Sequence, residues 1–230
     1  MENFNYYYNN IPNDGLVRNN LIYTSLMNND KTIFLQWYYN DGVYHGGQNE
    51  VLDPNLMDIK WNKEVKYLSL MAKHYPDIVP EIINIDYSNR KIYLKVDGVD
   101  FWQESLDKRC SFDEILPDWQ DQMLRIIEAH KLLGIYKYSM HPSSYFIVNG
   151  KLKSINYFFC YNDNDGMITV KEHLSHISLN RRKELFLKMK KMNIDVDVPT
   201  DLKTMQLLCF ESFRSNFPNN FIEKAKKIYV

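Results

Sequence analysis

The chain has 230 residues, of which 45% are hydrophobic and 25% are charged, an ordinary composition for a globular protein with one large domain or two small lobes. Its 28 Lys and Arg residues against 29 Asp and Glu residues give a net charge of -1, so the charge balance offers no footprint for general nucleic-acid binding. No apolar run reaches the ~18 residues of a membrane helix, and the first residues lack the pattern of a signal peptide. The three cysteines, Cys110, Cys160 and Cys209, have no short spacing, so we expect reduced thiols in a cytoplasmic protein.

Strand-forming runs dominate the first hundred residues. Residues 1–20 are rich in Asn and Tyr and predict an arm or loop. Residues 21–26 and 32–39 are rich in β-branched and aromatic side chains and predict a β-hairpin. Residues 81–87 and 91–96, separated by Ser-Asn-Arg, predict a second hairpin.

One helix is predicted between these hairpins. Residues 58–74 carry apolar side chains at helical spacing, and prolines at 76 and 80 end the pattern. We expect the buried face to hold Ile59, Val65, Leu68 and Met71, with Trp61 and Leu70 at its edges.

The remainder of the chain reads as mostly helical. Residues 118–133 predict an amphipathic helix that Gly134 ends, with an apolar side formed by Met123, Ile126, Ile127 and His130. The pair Asn149-Gly150 between two strand-like runs, 145–148 and 152–159, is a strong hairpin signal. Further helices are expected at about 179–192, 202–215 and 221–228.

The segment around residue 140 is the most informative part of the sequence. A helix ending in His130-Lys131-Leu132-Leu133-Gly134-Ile135 leads to His141-Pro142, and the Asn149-Gly150 hairpin then reaches Ile155-Asn156-Tyr157-Phe158. This segment resembles the catalytic segment of the protein-kinase-like superfamily, in particular the branch of aminoglycoside and lipopolysaccharide-core kinases. There His-Gly-Asp-Leu-His-Pro-x-Asn precedes a hairpin and an Ile-Asp-Phe.

The resemblance assigns roles to three positions, and all three have been replaced. The catalytic Asp of that family falls on Ser139, the metal-binding Asn on Ser144, and the second metal-binding Asp on Asn156. A seryl hydroxyl is a poor base at pH 7, and Mg²⁺ prefers anionic oxygen ligands. The resemblance therefore implies a degenerate site without catalytic residues.

Upstream positions fit the family less closely. Glu64 resembles the glutamate of its N-lobe helix, whereas Gln36 stands where the phosphate-pairing lysine is expected, with Lys31 the nearest substitute. The glycine-rich loop expected near residues 21–30 contains no glycine. The resemblance covers roughly residues 20–160, and the tail from Asn162 is unmatched. The whole chain is also similar to uncharacterised proteins of tailed phages of marine bacteria.

The resemblance implies an α+β, bilobal protein-kinase-like fold, with an arm and a small antiparallel N-lobe over 1–97 and a hinge and reduced helical C-lobe over 98–230. It implies a pseudokinase that acts as a binding or scaffold module for a protein partner. No metal site and no cofactor are expected. The candidate cleft is Gln36, Glu64 and Asn156, where binding of ATP and Mg²⁺ would be weak.

Two other functions stay open. An enzyme of altered chemistry, transferring a phosphate or a nucleotide, would use other carboxylates: Asp163 and Asp165 beyond the Asn156 position, or Asp100 and Glu104 near the hinge. A viral structural or host-takeover protein, located in the host cytoplasm, would carry the fold incidentally. A metal pair at His173 and His176 lacks a third ligand in clear register.

Overall fold

A five-stranded antiparallel sheet forms the first layer of the molecule. The computed structural model describes residues 5–6, 23–27, 31–37, 54–169, 187, 189–191, 193, 195 and 197–230. The strands of this sheet run in the order β1-β2-β3-β5-β4 and are β1 (Asn5–Tyr6), β2 (Tyr23–Met27), β3 (Thr32–Trp37), β4 (Glu81–Asp86) and β5 (Lys91–Lys95). Both predicted hairpins are confirmed, because β2 pairs with β3 and β4 pairs with β5.

The helix α1 (Pro54–His74) connects β3 to β4. It begins four residues before the predicted start, and a proline suits the first helical position because its missing N–H has no partner there. The buried face was partly mispredicted. Ile59 is 52% exposed, whereas Trp61, Glu64 and Tyr67 are buried together with the predicted Leu68 and Met71. The helix is therefore rotated so that two charged residues, Lys60 and Glu64, turn inward.

The second part of the chain begins with β6 (Val99–Asp100) and contains both short strands and helices. In chain order these are α2 (Phe101–Lys108), α3 (Phe112–Ile115), α4 (Trp119–Leu132), β7 (Ile135–Lys137), β8 (Tyr145–Val148), β9 (Lys151–Ser154), β10 (Cys160–Asn162), β11 (Ile168–Thr169), β12 (Pro199–Thr200), α5 (Leu202–Ser212) and α6 (Asn219–Tyr229). Strand β8 lies between β6 and β9, β7 pairs with β10, and β11 pairs with β12.

The β8–β9 hairpin turns at Asn149 and Gly150, which have φ of 50° and 71°. Positive φ at both central residues is what a tight hairpin turn requires, as the Asn-Gly pair predicts. Strand β9 ends at Ser154, however, five residues before the predicted end. Asn156 has a φ of 65°, a left-handed conformation that breaks an extended run.

Helices α2 and α3 were missed because both are short. The Asp100 side chain accepts a hydrogen bond from the backbone N–H of Gln103 at 2.8 Å and so caps α2. At α3, Ser111 and Glu114 form a capping box. The Ser-x-x-Glu spacing was readable from the sequence and could have identified this helix start.

Aromatic packing fixes the last helix. Trp119 of α4 lies 5.7 Å from Phe217 and 5.0 Å from Phe221, centroid to centroid, and Phe221 is fully buried. Helix α4 has its predicted inward side, and α5 and α6 correspond to the predicted helices at 202–215 and 221–228. The predicted helix at 179–192 falls largely outside the described residues, of which Leu187 and residues 189–191 are helical.

The molecule is α+β, with small antiparallel sheets and helices packed on one continuous apolar core that runs from Trp61 to Tyr229. All three cysteines are free thiols. Within the described ranges, no helix has both the length and the apolar character to cross a membrane.

Candidate functional site

Ser139, Ser144 and Asn156 lie together and bond to one another. The hydroxyl oxygens of Ser139 and Ser144 are 2.9 Å apart, and the Asn156 amide nitrogen donates to the Ser144 hydroxyl at 3.1 Å. Ser144 and Asn156 are buried, and Ser139 is half-buried. We call these three residues the polar cluster.

Two segments of chain carry the polar cluster, and short strands hold them side by side. Residues 138–144 follow β7 and end in a 3-10 turn, Pro142–Ser144, while residues 155–159 connect β9 to β10. The two segments are joined at one end by the β7–β10 pair and at the other by the hydrogen bond from Ile155 N–H to Ser144 C=O, 2.9 Å long. Pairings distant in sequence therefore bring the three side chains together.

His141 supports this turn. Its Nδ1 accepts the backbone N–H of Ser143 at 3.3 Å and lies 2.8 Å from the Ser143 hydroxyl. Its ring packs edge-on against Trp102, with 5.1 Å between centroids. These contacts give His141 a structural role in the turn.

Glu64 reaches the same place from α1. It is fully buried, and its Oε2 accepts the backbone N–H of Phe158 at 2.7 Å. Burial raises the pKa of the carboxyl, an effect that the nearby Lys137 and the backbone donors oppose. Glu64 is thus bonded to the chain at Phe158, two residues beyond Asn156.

The sequence interpretation missed the cation beneath the polar cluster. Lys137 is 1% exposed, and its Nζ donates to the backbone carbonyls of Ser139 at 2.7 Å and of Asn156 at 3.1 Å. Burial lowers the pKa of this ammonium group. Ile135 and Lys137 alternate with Tyr136 in β7, so the period-two pattern could have placed Lys137 on the buried face beside Ile135.

A second buried lysine lies one helical turn before Glu64. Lys60 is 5% exposed, its Nζ is 4.6 Å from the centroid of the Phe159 ring, and it makes no hydrogen bond within the described part of the chain. Burial, reinforced by Lys63, lowers its pKa to about 7. The α1 face against residues 158–159 is thus lined by titratable groups.

Behind the polar cluster lies an aromatic residue with a buried hydroxyl. The Tyr157 hydroxyl is 3.2 Å from Nε2 of His130. Burial and then the charge of Lys137 lower the pKa of His130 well below its ordinary value, so the imidazole is neutral at pH 7. Burial also raises the pKa of Tyr157, which keeps the phenol protonated.

Two further candidates, Gln36 and Lys31, come from β3 and the residue before it. The backbone of Gln36 pairs with Lys91 in the sheet, and its side chain lies outside the described residues. Lys31 is exposed and forms an ion pair with Asp97 at 3.0 Å, so it is engaged at the surface.

The alternative carboxylates are engaged elsewhere. Asp100 caps α2, and Glu104 pairs with Lys108 one turn along that helix. Asp165 accepts the Tyr67 hydroxyl at 2.9 Å and lies 3.8 Å from Lys63, while Asp163 begins a 3-10 turn. His173 and His176 lie outside the described residues, and within the described ones no three His, Cys, Asp or Glu side chains are grouped to hold a metal ion.

A scan against models of known protein families finds no match, and a search of curated proteins finds none either.

Chemically, the polar cluster can donate and accept hydrogen bonds but holds no charged side chain of its own. A hydroxyl bonded to a second hydroxyl, with neither next to a base, is a weak nucleophile and a weak proton acceptor. Neutral oxygens also bind Mg²⁺ less well than carboxylates. The polar cluster therefore offers hydrogen-bond donors and acceptors but no carboxylate.

Proposed function

We propose that this chain is a pseudokinase, a protein-kinase-like protein that no longer transfers phosphate and serves as a binding or scaffold module. The proposed fold is bilobal, with an N-lobe over 1–97 and a hinge and reduced C-lobe over 98–230. The sheet order β1-β2-β3-β5-β4, with α1 between β3 and β4, supports this assignment. So does the β8–β9 hairpin between the two segments of the polar cluster.

The observation that carries the proposal is the polar cluster itself. The family resemblance assigns Ser139, Ser144 and Asn156 to one site, and these residues lie within hydrogen-bonding distance as a connected set. Their meeting supports the family resemblance, and their chemistry supports inactivity. Phosphoryl transfer relies on a carboxylate for the substrate hydroxyl and on oxygen ligands for Mg²⁺, and none of the three side chains is a carboxylate.

The lack of a general base, of anionic metal ligands and of a phosphate-pairing lysine each lowers the expected rate of phosphate transfer. A missing general base alone costs roughly 10²–10⁴-fold in rate. Weaker metal ligands and the Gln36 substitution reduce the electrostatic stabilisation of the transition state, which is usually the largest contribution. We therefore expect weak nucleotide binding at most, no required cofactor, and a protein partner in the cytoplasm as the ligand.

A thermal-shift titration tests the proposal. ATP, ADP and GTP are added to the full chain, each with and without Mg²⁺. A ligand at 100 times its dissociation constant adds ~2.7 kcal/mol to the free energy of unfolding. At this size that corresponds to a rise in melting temperature of about 5–10 °C. We expect a shift below 1 °C at millimolar nucleotide, whereas a saturable, Mg²⁺-dependent shift of several degrees would contradict the proposal.

A further inference from the structure

The ammonium group of Lys137 joins the two segments that carry the polar cluster. It donates one hydrogen bond to the carbonyl of Ser139 and one to the carbonyl of Asn156. Hydrogen bonds from a charged donor are roughly twice as strong as neutral ones. One buried side chain therefore fixes the spacing between the backbones of residues 139 and 156.

Glu64 holds the same short segment from the opposite direction. Its bond to Phe158 N–H spans 94 residues of sequence and connects α1 to the segment. Between the two anchored residues, Tyr157 packs its ring 5.1 Å from Lys137 Nζ and places its hydroxyl next to His130. Asn156, Tyr157 and Phe158 are therefore each held by a buried side chain of another element.

We infer that Lys137 and Glu64 form an internal clamp that fixes residues 156–158 against β7 and α1 and so holds the polar cluster in one arrangement without a ligand. The clamp deepens the proposed function, because a polar cluster that the protein's own buried charges hold in place needs no bound nucleotide to order it. The clamp depends on the proposed function in one respect only, because it takes the polar cluster to be the binding site.

The clamp predicts a dependence on the charge of Lys137. The titratable groups that face its Nζ or lie around it come from every neighbouring element: Glu64 of α1, His130 of α4, Tyr145 of β8, Tyr157, Cys160 of β10 and Cys209 of α5. Among them, His130 is neutral at pH 7, and burial keeps Tyr145, Tyr157 and Cys160 protonated by raising each pKa. Because burial lowers the pKa of Lys137 from 10.5, its ammonium charge is lost at a lower pH than that of a free lysine. The neutral amine holds the two carbonyls less strongly.

Amide hydrogen exchange of the full chain tests the clamp. The amides of Phe158 and Cys160 report on the segment, and Leu152 of the β8–β9 hairpin is the internal reference. After correction for intrinsic rates, we expect protection of Phe158 and Cys160 relative to Leu152 to fall at least threefold between pH 7 and pH 10. A ratio constant within 1.5-fold over that range would overturn the inference.

Substitution gives an independent readout. Lys137→Met is compared with Lys153→Met, because Lys153 also donates to two backbone carbonyls, of Pro76 and Asp77, but is partly exposed and outside the cluster. We expect Lys137→Met to speed exchange at Phe158 and Cys160 at least tenfold and to abolish the pH dependence. Lys153→Met should change those rates less than twofold. Unchanged protection in Lys137→Met, or a loss spread evenly over all helices, would overturn the clamp.

Removing Lys137 alone leaves Glu64 buried without its countercharge, which can prevent folding. The double variant Glu64→Gln with Lys137→Met removes both charges and should fold, with the same local loss of protection. If neither variant folds, the pH dependence of exchange in the unmodified protein decides.

Nucleotide turnover would refute the proposed function but would leave these exchange ratios unaffected. Failure of the proposed function and failure of the clamp are therefore distinguishable.

Discussion

At the scale of single residues, the most informative feature is the number of charged side chains that the fold buries. Lys60, Glu64 and Lys137 are each at most 5% exposed. Taking such a group out of water is costly unless hydrogen bonds and opposite charges compensate. Lys137 and Glu64 form hydrogen bonds with backbone groups, whereas Lys60 packs its ammonium group against the ring of Phe159.

Replacing Lys60 by Met should stabilise the protein near neutral pH. The pKa of Lys60 is lowered from 10.5 to about 7, so the charged form is disfavoured in the folded state. Such a group contributes stability above pH 10.5, and that contribution is lost as the pH falls toward 7. The advantage of Lys60→Met over the unmodified protein should therefore grow by up to ~1.4 kcal/mol per pH unit as the pH falls from 10 to 7.

Denaturant unfolding at pH 7, 8.5 and 10 measures this advantage. Lys66→Met is the control, because Lys66 lies on the same helix and is exposed. A Lys60→Met advantage that does not change with pH would show that Lys60 carries its charge at no cost in the fold.

Asn156 contributes through its backbone as well as its side chain. Asn156→Gly removes the hydrogen bond to Ser144 but tolerates the φ of 65°, whereas Asn156→Ala loses the bond and adds steric cost. We expect Asn156→Gly to lower the free energy of unfolding by ~1 kcal/mol and Asn156→Ala by ~1–2 kcal/mol more. Equal losses in the two variants, measured by urea unfolding, would mean that the left-handed conformation relaxes.

The sequence identified Ser139, Ser144, Asn156 and Glu64 as candidates, but it did not identify the two buried lysines, Lys60 and Lys137. Ser139, Ser144 and Asn156 could be named because the residues around them resemble a catalytic segment. Lys60 could not be named, because a lysine in a helix ordinarily faces water, and only the short period-two pattern of β7 pointed to Lys137. Their burial depends on pairings such as that of β7 with β10, which local sequence does not specify.

At the scale of elements, short strands and caps set the geometry around the site. Gln122 of α4 accepts the Leu152 N–H at 2.8 Å and donates to the Gly150 carbonyl at 3.0 Å, so the β8–β9 hairpin is fastened to the helix before it. Strand β6 lies against β8 on the other side, and Gly98 precedes it. A side chain at Gly98 would meet the backbone oxygen of Ile147 at 2.0 Å.

Gly98→Ala should therefore destabilise the protein by roughly 2–4 kcal/mol, because rigid backbone cannot yield as a flexible side chain could. Gly166→Ala is the control. Gly166 has a φ of 71° and open space around it, so only the conformational cost of ~1–2 kcal/mol applies. Thermal unfolding of both variants gives the comparison. A smaller loss for Gly98→Ala than for Gly166→Ala would show that β6 does not pack closely on β8.

Local patterns predicted the longer elements well and the shorter ones poorly. The hairpins and α4 were confirmed because periodicity and turn residues agree there. The overextension of β9 and the omission of α2, β7 and β10 share a cause. Elements of three to eight residues carry too few positions for a period, so their caps and distant partners define them.

At the scale of the whole molecule, the sheet and the helical part share one core, and α1 and β7 both bond to the segment that follows β9. Glu64 comes from the helix beneath the five-stranded sheet, Lys137 from the second part of the chain, and both bond to the segment after β9. The α+β class was predictable from the order of strand and helix patterns. The detailed packing of α1 was not, since its rotation buries Glu64 and exposes Ile59.

The proposal that the polar cluster does not transfer phosphate is decided by an assay of ATP turnover. Purified full chain is incubated with γ-labelled ATP and Mg²⁺, and both released phosphate and labelled protein are measured for the unmodified chain and for Asn156→Ala. We predict equal signals for the two proteins, at the level of buffer alone. Mg²⁺-dependent turnover by the unmodified chain that the Asn156→Ala substitution abolishes would contradict this prediction and would show that the site is catalytic.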